Sequence, residues 1–147
     1  MEEISNSIKT RSYPKLSIVE NDRWQEGISS SIKKGVEHSM QKDASIGGLI
    51  LMVCDQPFVD ATLLMNLVNT HHETGKPIVA SRYKDAVGTP VYFNRSFFPE
   101  LLKLTGDTGA KKIIMGCGSS DVALIEFSRG DIDIDTEDDF SLLKQQH

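Results

Sequence analysis

Cysteine is scarce in this chain, and so is positive charge. Two cysteines in 147 residues, Cys54 and Cys117, make no disulfide framework and match no metal-binding spacing. Cys54 falls within an apolar run, where a buried, reduced thiol of a cytosolic protein is expected. Lys and Arg number 16 against 21 Asp and Glu, a formal net charge of −5. A polynucleotide-binding surface needs a basic excess, so nucleic acid is not the expected partner. No apolar run approaches the ~20 residues that a bilayer span requires, which argues against a membrane partner. The opening residues, "MEEISNSIKTR", are too polar for a secretory signal, so the expected location is the cytoplasm. Repeats, low-complexity tracts and linkers are also missing. The four histidines form no Ser-His-Asp or Cys-His arrangement. The single tryptophan, Trp24 in "NDRWQEG", reads as a packing anchor.

What remains is a chain with 39% hydrophobic and 25% charged residues, enough to build one folded domain over residues 1–147. Its elements alternate. Helices are expected at 2–11, 29–40, 60–75, 96–104 and 107–116, with a last one near the C-terminus following "DIDID". Strands are expected at 15–20, 47–55, 76–83, 89–94 and 121–127. In 60–75, Asp60 is placed to cap, Leu63, Leu64, Leu67 and Val68 form a stripe, and Gly75 closes the helix. Pro99 falls in a first turn, where a missing N–H costs little. Alternating elements with uncharged strands predict a three-layer αβα fold around a mostly parallel sheet, with ligands at the carboxyl ends of strands.

The run "LILMVCDQP" is expected to be a central strand, covered on both faces, that ends on Asp55 at such a position. Asp55 serves either as a turn or cap residue before Pro57, or as a catalytic or metal-binding carboxylate that needs a cation beside it. Near the C-terminus, Asp133 and Asp135 alternate with Ile132 and Ile134 and would share one side of an extended segment. One of them could face Asp55, and two carboxylates from separate strand ends suit Mg²⁺ with room for phosphate oxygens. The alternative is a charged loop before a capped helix. "TGDTGA", 105–110, is a weak phosphate-loop signal beside a simple Asp107 cap, without the lysine of a Walker loop. "GTP", 88–90, is either an ordinary turn or a place where Gly88 lets a ligand approach closely.

Together, "NDRWQEGISSSI", "LILMVCDQPFVDATLL", "GTPVYF", "LLKLTGDTGAKKII" and "DIDTED" resemble the molybdenum-cofactor nucleotidyltransferases, more closely the cytidylyltransferase branch than the guanylyltransferase. The pieces fall in family order over residues 15–145. The resemblance implies a Rossmann-related, glycosyltransferase-A-like fold. It implies transfer of CMP or GMP from CTP or GTP to molybdopterin phosphate, with release of pyrophosphate. It places Mg²⁺, or Mn²⁺, on Asp55 and Asp135. Substrate contacts would fall on Gln56, Pro57, Gly88, Thr89, Pro90, Gly106 and Asp107. Many family members carry histidine where this chain has Thr89. Implied partners are a nucleotide and a molybdopterin-like molecule, with a molybdoenzyme or chaperone and a second copy of the chain as macromolecular candidates.

The sequence departs from that family in one respect. The family opens with a strand and a glycine-rich loop carrying an arginine and a lysine. This chain is expected to start in the helix after the family's second strand, about two βα units short, or ~50 residues. That departure supports a different class of protein, a member that binds nucleotide, pterin or a protein without catalysis. A phosphoacceptor receiver domain shares the apolar strand ending on Asp55. It also wants acidic residues after the first strand and a late-strand lysine, and the only Lys-Pro, at 76–77, follows Asp55 too closely.

Overall fold

The structure, a computed structural model, describes residues 15–130. The helix expected at 2–11, and the acidic run and last helix expected within 131–146, lie outside the described residues.

Helix α1 spans Ile28–Lys42. Ile32, Val36 and Met40 recur every fourth residue and turn inward, while Ile28, one turn earlier, stays exposed. Helix α2 spans Ala61–Thr74. Asp60 accepts the Leu63 N–H at 2.8 Å, and Gly75 closes the helix in the left-handed region with its N–H on the His71 carbonyl. Both end signals are local and both formed. Asp60→Ala is therefore expected to cost about 1 kcal/mol. A lower urea midpoint at unchanged slope is the check.

Four strands form one sheet in the order β1-β3-β2-β4: β1 Gly48–Leu51, β2 Ile78–Tyr83, β3 Ala86–Asn94 and β4 Val122–Glu126. β3 is antiparallel to both neighbours, whereas β2 and β4 pair in parallel. Thus β1, β2 and β4 point one way, β3 points the other, and the sheet is mixed. The reversal follows from chain length. Only Lys84 and Asp85 separate β2 from β3, and a parallel return needs about a dozen residues.

The sheet carries helices on both faces. Ile78, Ala80, Val91 and Phe93 face Val36 of α1, Phe98 and Leu101 of α3 (Phe98–Leu102), and Ile114 of α4 (Lys111–Gly116). The alternate residues Val79 and Tyr92 face Leu67 of α2. Period-two alternation thus feeds two cores, and the three-layer αβα arrangement follows.

Several sequence expectations need correction. Residues 15–20 are not a strand: among the described residues they have no ladder partner, Leu16 and Ile18 are exposed, and Lys42 Nζ donates to Ser17 Oγ at 2.6 Å. Extended chain becomes a strand only where a neighbour takes its backbone groups. β1 is shorter than its apolar run. It lies at an edge of the described sheet rather than the centre, with Met52 and Val53 exposed beyond it. Cys54 consequently falls in the following loop and is exposed. Cys117 is half-buried, and burial first, with Asp121 and Glu100 nearby, raises the pKa of its thiol. Trp24 is 62% exposed on a short 3-10 turn, so it anchors no core. The helix expected from residue 107 begins only at Lys111, because Gly106 is left-handed (φ 63°) and a turn intervenes.

Candidate active site

The shared direction of β1, β2 and β4 brings the loops after Leu51, Tyr83 and Glu126 to one end of the sheet. β3 starts at that end, so Gly88, Thr89 and Pro90 arrive there too. The ladder shifts register here: Ala80 pairs with Val91, yet Ser81 pairs with Gly88. Thr89 and Pro90 therefore bulge from β3, which suits a proline that has no N–H for the ladder. The Thr89–Pro90 peptide bond is cis. Buried Ser81 donates from Oγ to the Pro90 carbonyl at 2.7 Å and holds the bulge.

Gln56 ties the loops together. Its side chain is buried, its Nε2 donates to the Gly130 carbonyl at 2.9 Å, and its Oε1 accepts from Thr89 Oγ1 at 3.4 Å. Asp55, Gln56, Thr89, Lys84, Tyr83 and Gly130 surround a cavity of about 360 Å³. Among the described residues, the buried Oδ1 of Asp55 has no hydrogen-bond partner. His38 Nε2 is likewise buried and without a partner among the described residues, but His38 lines neither this cavity nor its neighbour. That neighbour, about 420 Å³ and mostly apolar, lies between α1, α4 and the β2–β3 hairpin. Val53, Tyr83, Ala86 and Thr89 line both, so the bulge stands between a polar chamber and an apolar one.

Asp55, Gln56 and Thr89 thus share the polar chamber, while Gly88 and Thr89 line the apolar one. The space beside Gly88 is filled by protein: a Cβ there would lie 2.5 Å from the Tyr83 hydroxyl oxygen. Pro90 is buried, and Pro57, the next residue after Gln56, lines a separate recess. Gly106 and Asp107 are not brought to the Asp55 chamber. They pack under the start of α1, where the Gly106 carbonyl accepts the Ser29 N–H at 3.2 Å and Asp107 Oδ1 crowds Gly27. From the same motif, Gly109 and Ala110 line the apolar chamber. Asp135 lies outside the described residues. Tyr83, Lys84 and Gly130 were not foreseen. The five residues between the two strands read at 76–83 and 89–94 could have exposed the first two, since so short a link forces a hairpin whose tip joins the site.

Among the described residues no three His, Cys, Asp or Glu side chains cluster as a metal site. Asp55 offers one buried carboxylate oxygen without a partner, and that donor fits a hard cation such as Mg²⁺ or Mn²⁺. Such ions take one or two protein carboxylates and complete their shell with phosphate oxygens and water.

A three-layer α/β domain with polar groups converging at the carboxyl ends of its strands has a Rossmann-like arrangement, in which ligands collect at that end. Residues 4–122 match the MobA-like NTP transferase domain, and the chain belongs to that family. The chain is 28% identical over 131 residues to the purine catabolism protein PucB of Bacillus subtilis, a match that spans 84% of this chain and 62% of PucB. The structure of Rv0371c from Mycobacterium tuberculosis, solved as a complex with manganese, is 25% identical. It superposes with a TM-score of 0.68, over 97% of this chain and 73% of that one. Molybdopterin-guanine dinucleotide biosynthesis protein A from Archaeoglobus fulgidus, 15% identical, shares the fold, with a TM-score of 0.59 over 99% of this chain and 74% of its own. No helix among the described residues is long and apolar enough to cross a membrane.

Proposed function

We propose that this chain carries the nucleotide site of a divalent-metal-dependent nucleotidyltransferase of the molybdenum-cofactor type. It would transfer CMP or GMP from CTP or GTP to the phosphate of a molybdopterin. The acceptor phosphate oxygen forms a bond to the α-phosphorus as the bond to the departing pyrophosphate breaks. The observation that carries the reading is the buried Oδ1 of Asp55, without a partner among the described residues, in the loop that follows β1. Family membership supports it, as does the manganese in the Rv0371c structure. A metal held by Asp55, with Asp135 as its proposed second carboxylate, would offset charge on the phosphates. Gln56 holds the Asp55 loop against Gly130 and Thr89, so the carboxylate is oriented before substrate arrives. The apolar chamber beyond Thr89 suits a flat ring.

Among the described residues, Lys84 alone brings a basic side chain to the Asp55 chamber. That favours a second reading, a domain that binds nucleotide or pterin without turning it over. The test is calorimetric titration of the whole chain with CTP and with GTP, with and without Mn²⁺, followed by assay of pyrophosphate release with a molybdopterin acceptor. Mn²⁺-dependent binding with release supports transfer, and binding without release supports the second reading. No metal-dependent nucleotide binding rejects transfer, and no binding of CTP, of GTP or of the molybdopterin acceptor under either condition rejects both.

A further inference from the structure

The recess lined by Pro57 holds an arginine whose arrangement neither the family motifs nor the proposed reaction explains. Arg129 Cζ lies 3.2 Å above the centre of the Phe58 ring. At that separation no guanidinium N–H can point into the ring without collision, so the group must lie flat on it. A flat guanidinium directs its N–H groups sideways, and the stacking limits the orientations they can take. No carboxylate among the described residues pairs with it. Two acids line the same recess of about 490 Å³, and both are engaged: Asp60 caps α2 through the Leu63 N–H, and Glu126 Oε1 is held by Arg82, with Nε at 2.8 Å. Thr62, Asn66 and Ser128, whose side chains can donate hydrogen bonds, also line the recess. The recess is one residue from the Asp55 chamber along both loops: Pro57 follows Gln56, and Arg129 precedes Gly130, whose carbonyl Gln56 holds.

We infer that this recess is a phosphate subsite, with Arg129 as the cation that binds the group and Phe58 as the residue that positions Arg129. The inference deepens the proposed function and, as to which phosphate is bound, rests on it. The phosphate is either the pyrophosphate end of the nucleotide or the phosphomonoester of the acceptor. The subsite would supply positive charge next to a carboxylate in a chain of net charge −5.

The test titrates the full chain, without metal, with inorganic pyrophosphate and separately with methyl phosphate, each followed by calorimetry. Saturable binding is expected. Arg129→Gln should weaken it at least tenfold, since hydrogen bonds to charged groups are among the stronger ones, and Arg129→Lys should recover it only in part. Phe58→Leu should weaken it about threefold by releasing the guanidinium from its stacked orientation. Tighter binding of pyrophosphate assigns the subsite to the nucleotide, and tighter binding of methyl phosphate assigns it to the acceptor. Binding that is absent, or unchanged in Arg129→Gln, overturns the inference. Mn²⁺-dependent nucleotide binding, measured in parallel, reports on the Asp55 reading separately. Loss of that binding with the Arg129 effect intact rejects the proposed function and leaves the subsite standing.

Discussion

Asp55→Asn is expected to abolish Mn²⁺-dependent nucleotide binding, a weakening of at least about 100-fold, while the protein unfolds at the same temperature or a higher one. The two halves of this result have one cause. Oδ1 is buried and has no hydrogen-bond partner among the described residues, so that oxygen is withdrawn from water without a donor to replace it. Asparagine keeps the shape and removes the charge, so folding loses nothing. A divalent cation loses its anionic donor and keeps only a weakly coordinating amide. Calorimetry with and without Mn²⁺, beside a thermal melt, reads both halves. Metal-dependent binding that survives the substitution would remove Asp55 from the site. A large fall in melting temperature would show that Asp55 is instead a structural turn residue.

Gly27→Ala is expected to cost about 3 kcal/mol of stability. Gly27 precedes α1 with φ 93° and ψ 177°, a region open essentially to glycine alone. Added side-chain bulk has no room either: a Cβ would lie 2.5 Å from the backbone carbon and oxygen of Gly106 and from Asp107 Oδ1. Those atoms belong to the segment that receives the Ser29 N–H, so relief of the clash would break the joint between α1 and the 105–110 loop. Around this joint Asn21 Nδ2 donates to Ser30 Oγ at 2.8 Å and Ser31 Oγ at 3.0 Å, and Ser30 Oγ donates to the Gly27 carbonyl. A denaturation midpoint within error of the parent would reject this account. The joint also gives "NDRWQEGISSSI" and "TGDTGA" a structural role, because they are two halves of one contact.

That contact shows how much of the site was legible beforehand. Both motifs stood out in the sequence, yet their meeting could not be read from it, since about 80 residues separate Gly27 from Gly106 and pairing at that range leaves no periodic trace. The caps of α2 were legible because Asp60, Leu63, His71 and Gly75 act within one turn of their own helix ends. Asp55 was legible as the end of an apolar run. The position of its strand was misread, because an uncharged run of half-buried residues looks the same at an edge as at a centre. Arg129 was invisible: an isolated arginine next to a glycine gains meaning only from Phe58, which lies 71 positions away in sequence.

By itself, then, the sequence determined most of the described elements, the end signals of α2, the family and the presence of a carboxylate just beyond β1. These rest on short-range spacing, on burial pattern and on residue chemistry. Only the tertiary structure decided the rest. It reversed β3 and raised the Thr89–Pro90 bulge between two chambers. It took Gly106 and Asp107 away from Asp55, and it laid Arg129 flat on Phe58. Each of these depends on which distant backbone or ring fills the neighbouring space, and that is settled when the sheet and its two helical layers pack together.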